Sequence, residues 1–270
     1  MSGRFGIGLL LSCLAILLIG GCASTPTDPD NLQNVSIGAS FKQLGIGSNI
    51  SRVLLEISGS GFTTIAQDLE ITNGLVKADV EVPFGTGRVF ALTAYAGQTA
   101  LYYGADTADV SASAITEVFV YMQPQVTMIK ITPMYDSISN IGIEGTLRVE
   151  VYNVDSLFGL SLRLEVDSSI IEFLHDSAEA GDFLVPRDNT LFNAWVFPHY
   201  VALGYTMRGN NGQPMGVTGS GLIATVKYVA KKVGKTPVTI NPAFLRLIDW
   251  QGNALPQIYI ENGEVEVLGY

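Results

Sequence analysis

Residues 145–174 read GTLRVEVYNVDSLFGLSLRLEVDSSIIEFL, and the reading of this stretch decides the fold. Between Gly159 and Val166, the side chains Leu160, Leu162, Leu164 and Val166 alternate with Ser161, Arg163 and Glu165. A period of two is that of a strand with one face buried; a helix would repeat its apolar positions every three or four residues. The leucine face therefore belongs to a core, and Ser161, Arg163 and Glu165 face solvent or a partner. Leu147–Val154 repeats the pattern upstream, separated from the first run by the turn-forming Asp155-Ser156 and Gly159.

Working outward, the same texture fills the chain from Val35 onward. Short alternating runs, broken every 8–12 residues by Gly, Pro, Asn or Asp, include Arg52–Ile57, Leu75–Val82, Arg88–Tyr95, Ile115–Met122, Val201–Met207, Gly221–Ala230 and Val265–Leu268. Such spacing predicts an all-β sandwich architecture. Only Ala178–Leu184 hints at helix, and for one turn at most. Composition shifts once, across Gln123–Pro133. Two β-sandwich modules are expected on either side of it, over residues 35–124 and 127–270. In 270 residues there are 15 Lys+Arg against 25 Asp+Glu, a formal net charge of −10. A chain so acidic, with scattered bases, lacks the clustered positive face that nucleic acid requires. Two cysteines and two histidines supply neither a disulfide framework nor a Cys/His zinc site.

Both cysteines lie near the start. Arg4 precedes an apolar run, Gly6–Ile19, which ends in Ile19-Gly20-Gly21-Cys22. Residues 1–21 read as a signal peptide, since the run falls short of the roughly 20 residues a spanning helix needs. The four-residue motif resembles the bacterial lipobox, which implies that Cys22 is acylated and becomes the mature N-terminus. Residues 22–34 then form a flexible tether. At ~0.8 kcal/mol per buried methylene, acyl chains at Cys22 hold the body to a membrane. Ala23 and Ser24 follow Cys22, not the Asp of inner-membrane retention, so outer membrane or cell surface is the expected location.

Val80–Tyr103, with Gly104 and the closing strand Thr116–Met122, resembles the small Ig- or prealbumin-like modules of bacterial surface lipoproteins, on a VPxGxGRxFxLxAY pair followed by LYYG. That resemblance implies a spacer. Tyr102 and Tyr103 fall on opposite faces, so at least one is expected in the core. The second module resembles a cohesin domain. The residues that carry this are the 145–174 stretch itself, Ala180–Leu184, Pro198-His199 before Val201–Met207, Gly221–Tyr228, and Asn262–Val267, in the family's order. It implies a flattened jelly roll that docks dockerins, calcium-loaded modules whose metal belongs to the partner, often in polysaccharide degradation. No cofactor or metal is implied here. Polysaccharide is the alternative partner, and a structural envelope lipoprotein the third reading.

The expected docking face is Ser161, Arg163, Glu165, Trp195, Phe197, Thr206, Arg208 and Arg246. Val201, Leu203, Tyr205 and Met207 take the core side of their strand and leave Ala202, Gly204 and Thr206 outward. Phe192–Phe197 can be phased two ways: aligned to cohesins, Trp195 and Phe197 point outward, and otherwise Trp195 packs inside with Asn193 outside. If Arg246 is outward, Phe244 and Ile248 accompany it. The sequence departs from the family where an Asn and an Asp are replaced by Gly159 and Ser161, and a Glu by Arg208. These changes put cellulosomal specificity in doubt while leaving a docking surface intact.

No nucleophile elbow, zinc-protease helix, phosphate loop or EF-hand loop occurs. His175-Asp176 and His199 are expected in turns. Glu165 with Asp167, and Glu264 with Glu266, are neighbours along one strand face rather than carboxyls opposed across a cleft. Lys231, Lys232 and Lys235 read as a solvated basic turn. The chain is not expected to be an enzyme.

Overall fold

A computed structural model describes residues 31–40, 50–72, 75–112, 116–184, 186, 189–209 and 216–269. The signal peptide, Cys22 and most of the tether lie outside these residues. The described chain is an all-β sandwich structure. Its first part comprises β1 (Leu32–Ser40), β2 (Arg52–Ser58), β3 (Ile65–Leu69), β4 (Ile71–Thr72), β5 (Leu75–Pro83), β6 (Gly85–Ala96), β7 (Thr99–Val110), β8 (Thr116–Phe119) and β9 (Gln123–Pro124). The sheets run β4-β5-β1-β8 and β3-β2-β6-β7-β9. Alternation fills the space between them with Val35, Ile37, Val53, Leu55, Phe90, Leu92 and Tyr102. β1 begins at Leu32, paired with Pro83, so Leu32–Asn34 belong to a strand and not to the tether expected there. Tyr102 is buried and Tyr103 exposed, as opposite faces require.

Next come β10 (Met128–Thr132), β11 (Tyr135–Ile138), β12 (Glu144–Leu157), β13 (Gly159–Glu165), β14 (Ile171–Phe173), β15 (Glu179–Ala180), β16 (Thr190–Phe197) and β17 (Tyr200–Met207). β18 (Val217–Ala230), β19 (Gly234–Ile240), β20 (Arg246–Ile248), β21 (Tyr259–Glu261) and β22 (Gly263–Val267) complete the chain. A back sheet runs β14-β18-β12-β10-β21, with β15 also on β18. A front sheet runs β11-β22-β19-β13-β17-β16, with β20 on β13. Leu147, Val149, Leu160, Leu162, Leu164, Leu203, Tyr205, Val226 and Val265 fill the layer between. Ala178–Leu184 forms no helical turn: Glu179 and Ala180 pair with Thr225 and Ala224, and the Gly181 carbonyl accepts the buried Tyr205 hydroxyl at 3.1 Å. Gly181 must be glycine, because a Cβ there would lie 2.0 Å from the Leu222 carbonyl oxygen.

The two cores meet across β10. Ile129 and Ile131 point into the second core, while Met128, on the other face of the same strand, packs in the first. The Tyr102 hydroxyl donates to Met128 Sδ at 3.2 Å, and the Asn153 amide donates to the Pro124 carbonyl at 2.7 Å. One row further along, register sets Lys130 between Glu150 of β12 and Glu261 of β21. Lys130 is 5% and Glu261 2% exposed. Glu150 also accepts Thr132 Oγ1 and Tyr152 Oη and pairs with Arg148 at 2.9 Å. Buried charges survive only when partnered in this manner. The first part of the chain thus sits against the back sheet and leaves the outer face of the front sheet clear.

Candidate docking face

Register builds this face row by row. Reading from the β16 edge inward, one row is Leu191, Thr206, Gly159 and Ile248. The next is Asn193, Gly204, Ser161 and Arg246, and a third is Trp195, Ala202 and Arg163. The last is Phe197, Tyr200 and Glu165. The even positions of β16 and the odd positions of β17 pack inward, where Phe192 meets Tyr205 edge-on with ring centres 5.5 Å apart. Trp195 is 61% exposed and Phe197 also stands in solvent, which decides the phase of β16. Asn193 is exposed as well, because residues two apart share a face; burying Trp195 while exposing Asn193 is not compatible with a strand.

All the expected face residues of this sheet come together on it. Ser161 and Arg246 are cross-strand partners, both exposed. Thr206 lies outward and half-buried, and Arg208, exposed, extends the ladder by donating its N–H to the Asn189 carbonyl at 2.7 Å. Cys22 lies outside the described residues.

Electrostatics and packing fix the middle of the face. The Arg163 guanidinium lies 4.0 Å from the centre of the Tyr200 ring and 5.1 Å from that of Phe244. Its Nε is 2.9 Å from Glu165 Oε1, which also accepts the Asn241 amide at 2.9 Å. Asn241 caps the short 3-10 turn Pro242–Phe244 by accepting the Ala243 N–H, and this turn brings Phe244 over the arginine. Phe197 stacks on Tyr200 with centres 4.6 Å apart. The Arg163 Nε is buried without a hydrogen bond, and the aromatic rings around the guanidinium form a surround favourable to a cation.

Relief follows from side-chain size. Along β17 the outward residues Ala202 and Gly204 are small, and nothing lies within 4 Å of a Cβ built on Gly204. They form the floor of a trough. Leu191, Trp195 and Phe197 stand along one side, and on the other the small Ser161 is followed by Arg163, which lies over Tyr200 at one end. The flanking strands lie two strand spacings apart, roughly 9–10 Å backbone to backbone, so a helix would lay one face over the trough rather than sink between the walls. A Cβ at Gly159 would lie 2.7 Å from Thr206 Oγ1, so any larger residue there requires the threonine to turn.

Sequence reading missed Tyr200, Leu191 and Asn241. Extending the alternation of β17 and β16 by two residues would have found the first two, whereas Asn241 acts through a turn with no periodic signal. Elsewhere, His175 pairs with Asp176 at 2.8 Å in an exposed turn, and His199 lies in the β16–β17 hairpin. Glu264 and Glu266 lie side by side on β22, 3.6 and 3.3 Å from Lys235. Glu266 also accepts the Tyr135 hydroxyl, and this bond raises the tyrosine pKa. They form a surface ion ladder, not a pair of acids across a cleft. Among the described residues no group of three or more His, Cys, Asp or Glu is placed to hold a metal.

No family model and no curated protein matches the chain. Among solved structures, it is similar to a non-cellulosomal cohesin from the archaeon Archaeoglobus fulgidus, at 19% identity over 53% of this chain and 91% of that one, with a TM-score of 0.42. It is similar to the third cohesin of ScaC from Acetivibrio cellulolyticus, solved in complex with the ScaB dockerin, at 16% identity over 53% and 99%, TM-score 0.44. A third is the OlpC cohesin in a type I cohesin–dockerin complex from Clostridium thermocellum, at 16% identity over 54% and 95%, TM-score 0.44. These neighbours are cohesin domains, matched over about half of this chain.

Proposed function

We propose that this protein is a lipid-anchored adaptor whose front sheet docks a helical module of a partner protein, of the dockerin kind, outside the cytoplasm. The carrying observation is the trough itself: small residues along β17 between an exposed Leu191–Trp195–Phe197 wall and Arg163. Aromatic and arginine anchors of this sort dominate protein–protein hot spots, and an amphipathic helix fits such a channel. The ordered sequence resemblance of residues 145–267 to cohesins supports the same reading. On this view residues 35–124 are an Ig- or prealbumin-like spacer. Acylation at Cys22 places the body at a membrane surface, outer membrane or cell exterior rather than inner membrane, and any calcium belongs to the partner.

Capture of purified, calcium-loaded dockerins by the mature protein tests this. The expected result is capture that is abolished by Gly204→Gln, which fills the trough, and by chelating the dockerin's calcium. Capture unaffected by Gly204→Gln, or no capture from a broad panel, rejects it. Carbohydrate binding is the second reading, favoured by the exposed Trp195 and Phe197 as a stacking platform. Retardation on a glycan gel that Trp195→Ala removes would establish it instead. A purely structural envelope role fits poorly with so large an indole left in solvent.

A further inference from the structure

We infer that the partner surface received by this trough is acidic: a helix with an apolar stripe for Leu191, Trp195 and Phe197, flanked by carboxylates for Arg208 and Arg246. This rests on the docking reading above and adds the chemistry of the occupant. The chain carries a formal charge of −10, yet the outward positions of β13, β16, β17 and β20 hold Arg163 and Arg246 against one carboxylate, Glu165, with Arg208 just past the end of β17 and Asp249, bonded to Asn253, just past β20. That carboxylate, Glu165, is already used by Arg163 and Asn241. Among the described residues neither Arg208 nor Arg246 takes part in any of the ion pairs, and both are exposed. The other half of the same sheet differs in sign, with Lys235 opposed by Glu264 and Glu266. Positive charge is therefore concentrated where the aromatic residues are.

Position narrows the chemistry further. Arg246 ends the Gly204 row two strands across from β17, and Arg208 lies four residues beyond Gly204 along β17, so the two are about 13 Å apart along the strands and 9–10 Å across them, roughly 16 Å in all. A helix lying diagonally across this face reaches both with acidic side chains about three turns apart. Guanidinium groups suit this task, because their planar donors grip carboxylates in pairs. A basic partner of the same shape meets like charge at both places and is turned away.

The test is calorimetric titration of the full mature protein with two sets of calcium-loaded dockerins, one with Asp or Glu and one with Lys or Arg flanking the apolar stripe of the recognition helix. Expected is binding by the acid-flanked set alone. Arg208→Glu with Arg246→Glu weakens it at least tenfold, as does raising NaCl from 50 to 300 mM, and Gly204→Gln abolishes it. Binding by the base-flanked set, or binding insensitive to both charge swaps yet lost on Gly204→Gln, overturns the acidic partner while leaving docking standing. Binding that survives Gly204→Gln, or none at all, removes the docking reading and this inference together. Self-association lost on Gly204→Gln, or polygalacturonate binding lost on the arginine swaps, puts a second copy or an acidic glycan in the trough and likewise overturns it.

Discussion

Arg163 and Tyr200 stand on neighbouring strands, two residues out of register, with the guanidinium 4.0 Å from the ring centre. The arrangement takes a charge that would otherwise sweep through solvent and fixes it at the edge of the trough. Phe197 and Phe244 complete the surround. In urea unfolding, a double-mutant cycle of Arg163→Met and Tyr200→Leu is expected to give a coupling of about 0.5–1 kcal/mol, the size of a partly exposed cation–π contact. Additive effects would mean that the two residues meet without fixing each other.

The proposed docking and the stability of the sandwich fall to opposite faces of β16. Trp195→Ala removes an exposed side chain and is expected to change unfolding free energy by less than about 0.5 kcal/mol. Phe192→Ala, on the inward face against Tyr205, is expected to cost about 3 kcal/mol. Gly204→Gln meets open space and leaves the melting temperature in place. Thermal and urea melts of the three variants check this pattern.

Arg88 shows why the GxGR stretch of the first part is structural. Buried, it donates Nε to the Pro83 carbonyl at 3.1 Å and one terminal nitrogen to the Ser60 carbonyl at 2.5 Å; the other reaches the Phe84 carbonyl. Its guanidinium lies over Phe62, and Cβ atoms at Gly59 or Gly85 would run into it. Arg88→Met leaves several carbonyls without donors and is expected to cost about 2–3 kcal/mol in unfolding free energy.

The row Glu150–Lys130–Glu261 is expected to make the joint between the two parts sensitive to pH. Burial is the largest influence on Lys130 and lowers its pKa below the ordinary 10.5, with the two glutamates acting in the opposite sense. A base whose folded pKa is depressed binds more protons when unfolded, so stability from this group rises as pH climbs toward 10.5 and is lost as pH falls through the folded value. Subtracting Lys130→Met from wild type cancels the buried tyrosines Tyr102 and Tyr152, whose pKa values burial raises. The difference in urea stability is expected to grow between pH 7 and pH 10. A flat difference would show that Lys130 keeps its ordinary pKa.

Much of this was legible in the chain, for a physical reason. In β13 and β17 one face is apolar and the other small or polar, so a period of two assigns every side chain. β16 defeats the same argument because Leu191, Phe192, Trp195, Val196 and Phe197 put large apolar groups on both faces of an edge strand. Leu32–Asn34 shows no alternation of its own, and is a strand through pairing with Glu81–Pro83. The Lys130 row and the Asn241 brace come from pairings between residues more than a hundred and some seventy positions apart, which no local pattern encodes.

Hydrogen exchange on the mature protein, with and without a bound calcium-loaded dockerin, tests the docking surface most directly. The account predicts new protection in 159–165, 190–208 and 244–248, with the back sheet and residues 50–112 unchanged. Protection falling instead on the back sheet or on the first part of the chain, with β16 and β17 exchanging as before, would contradict it.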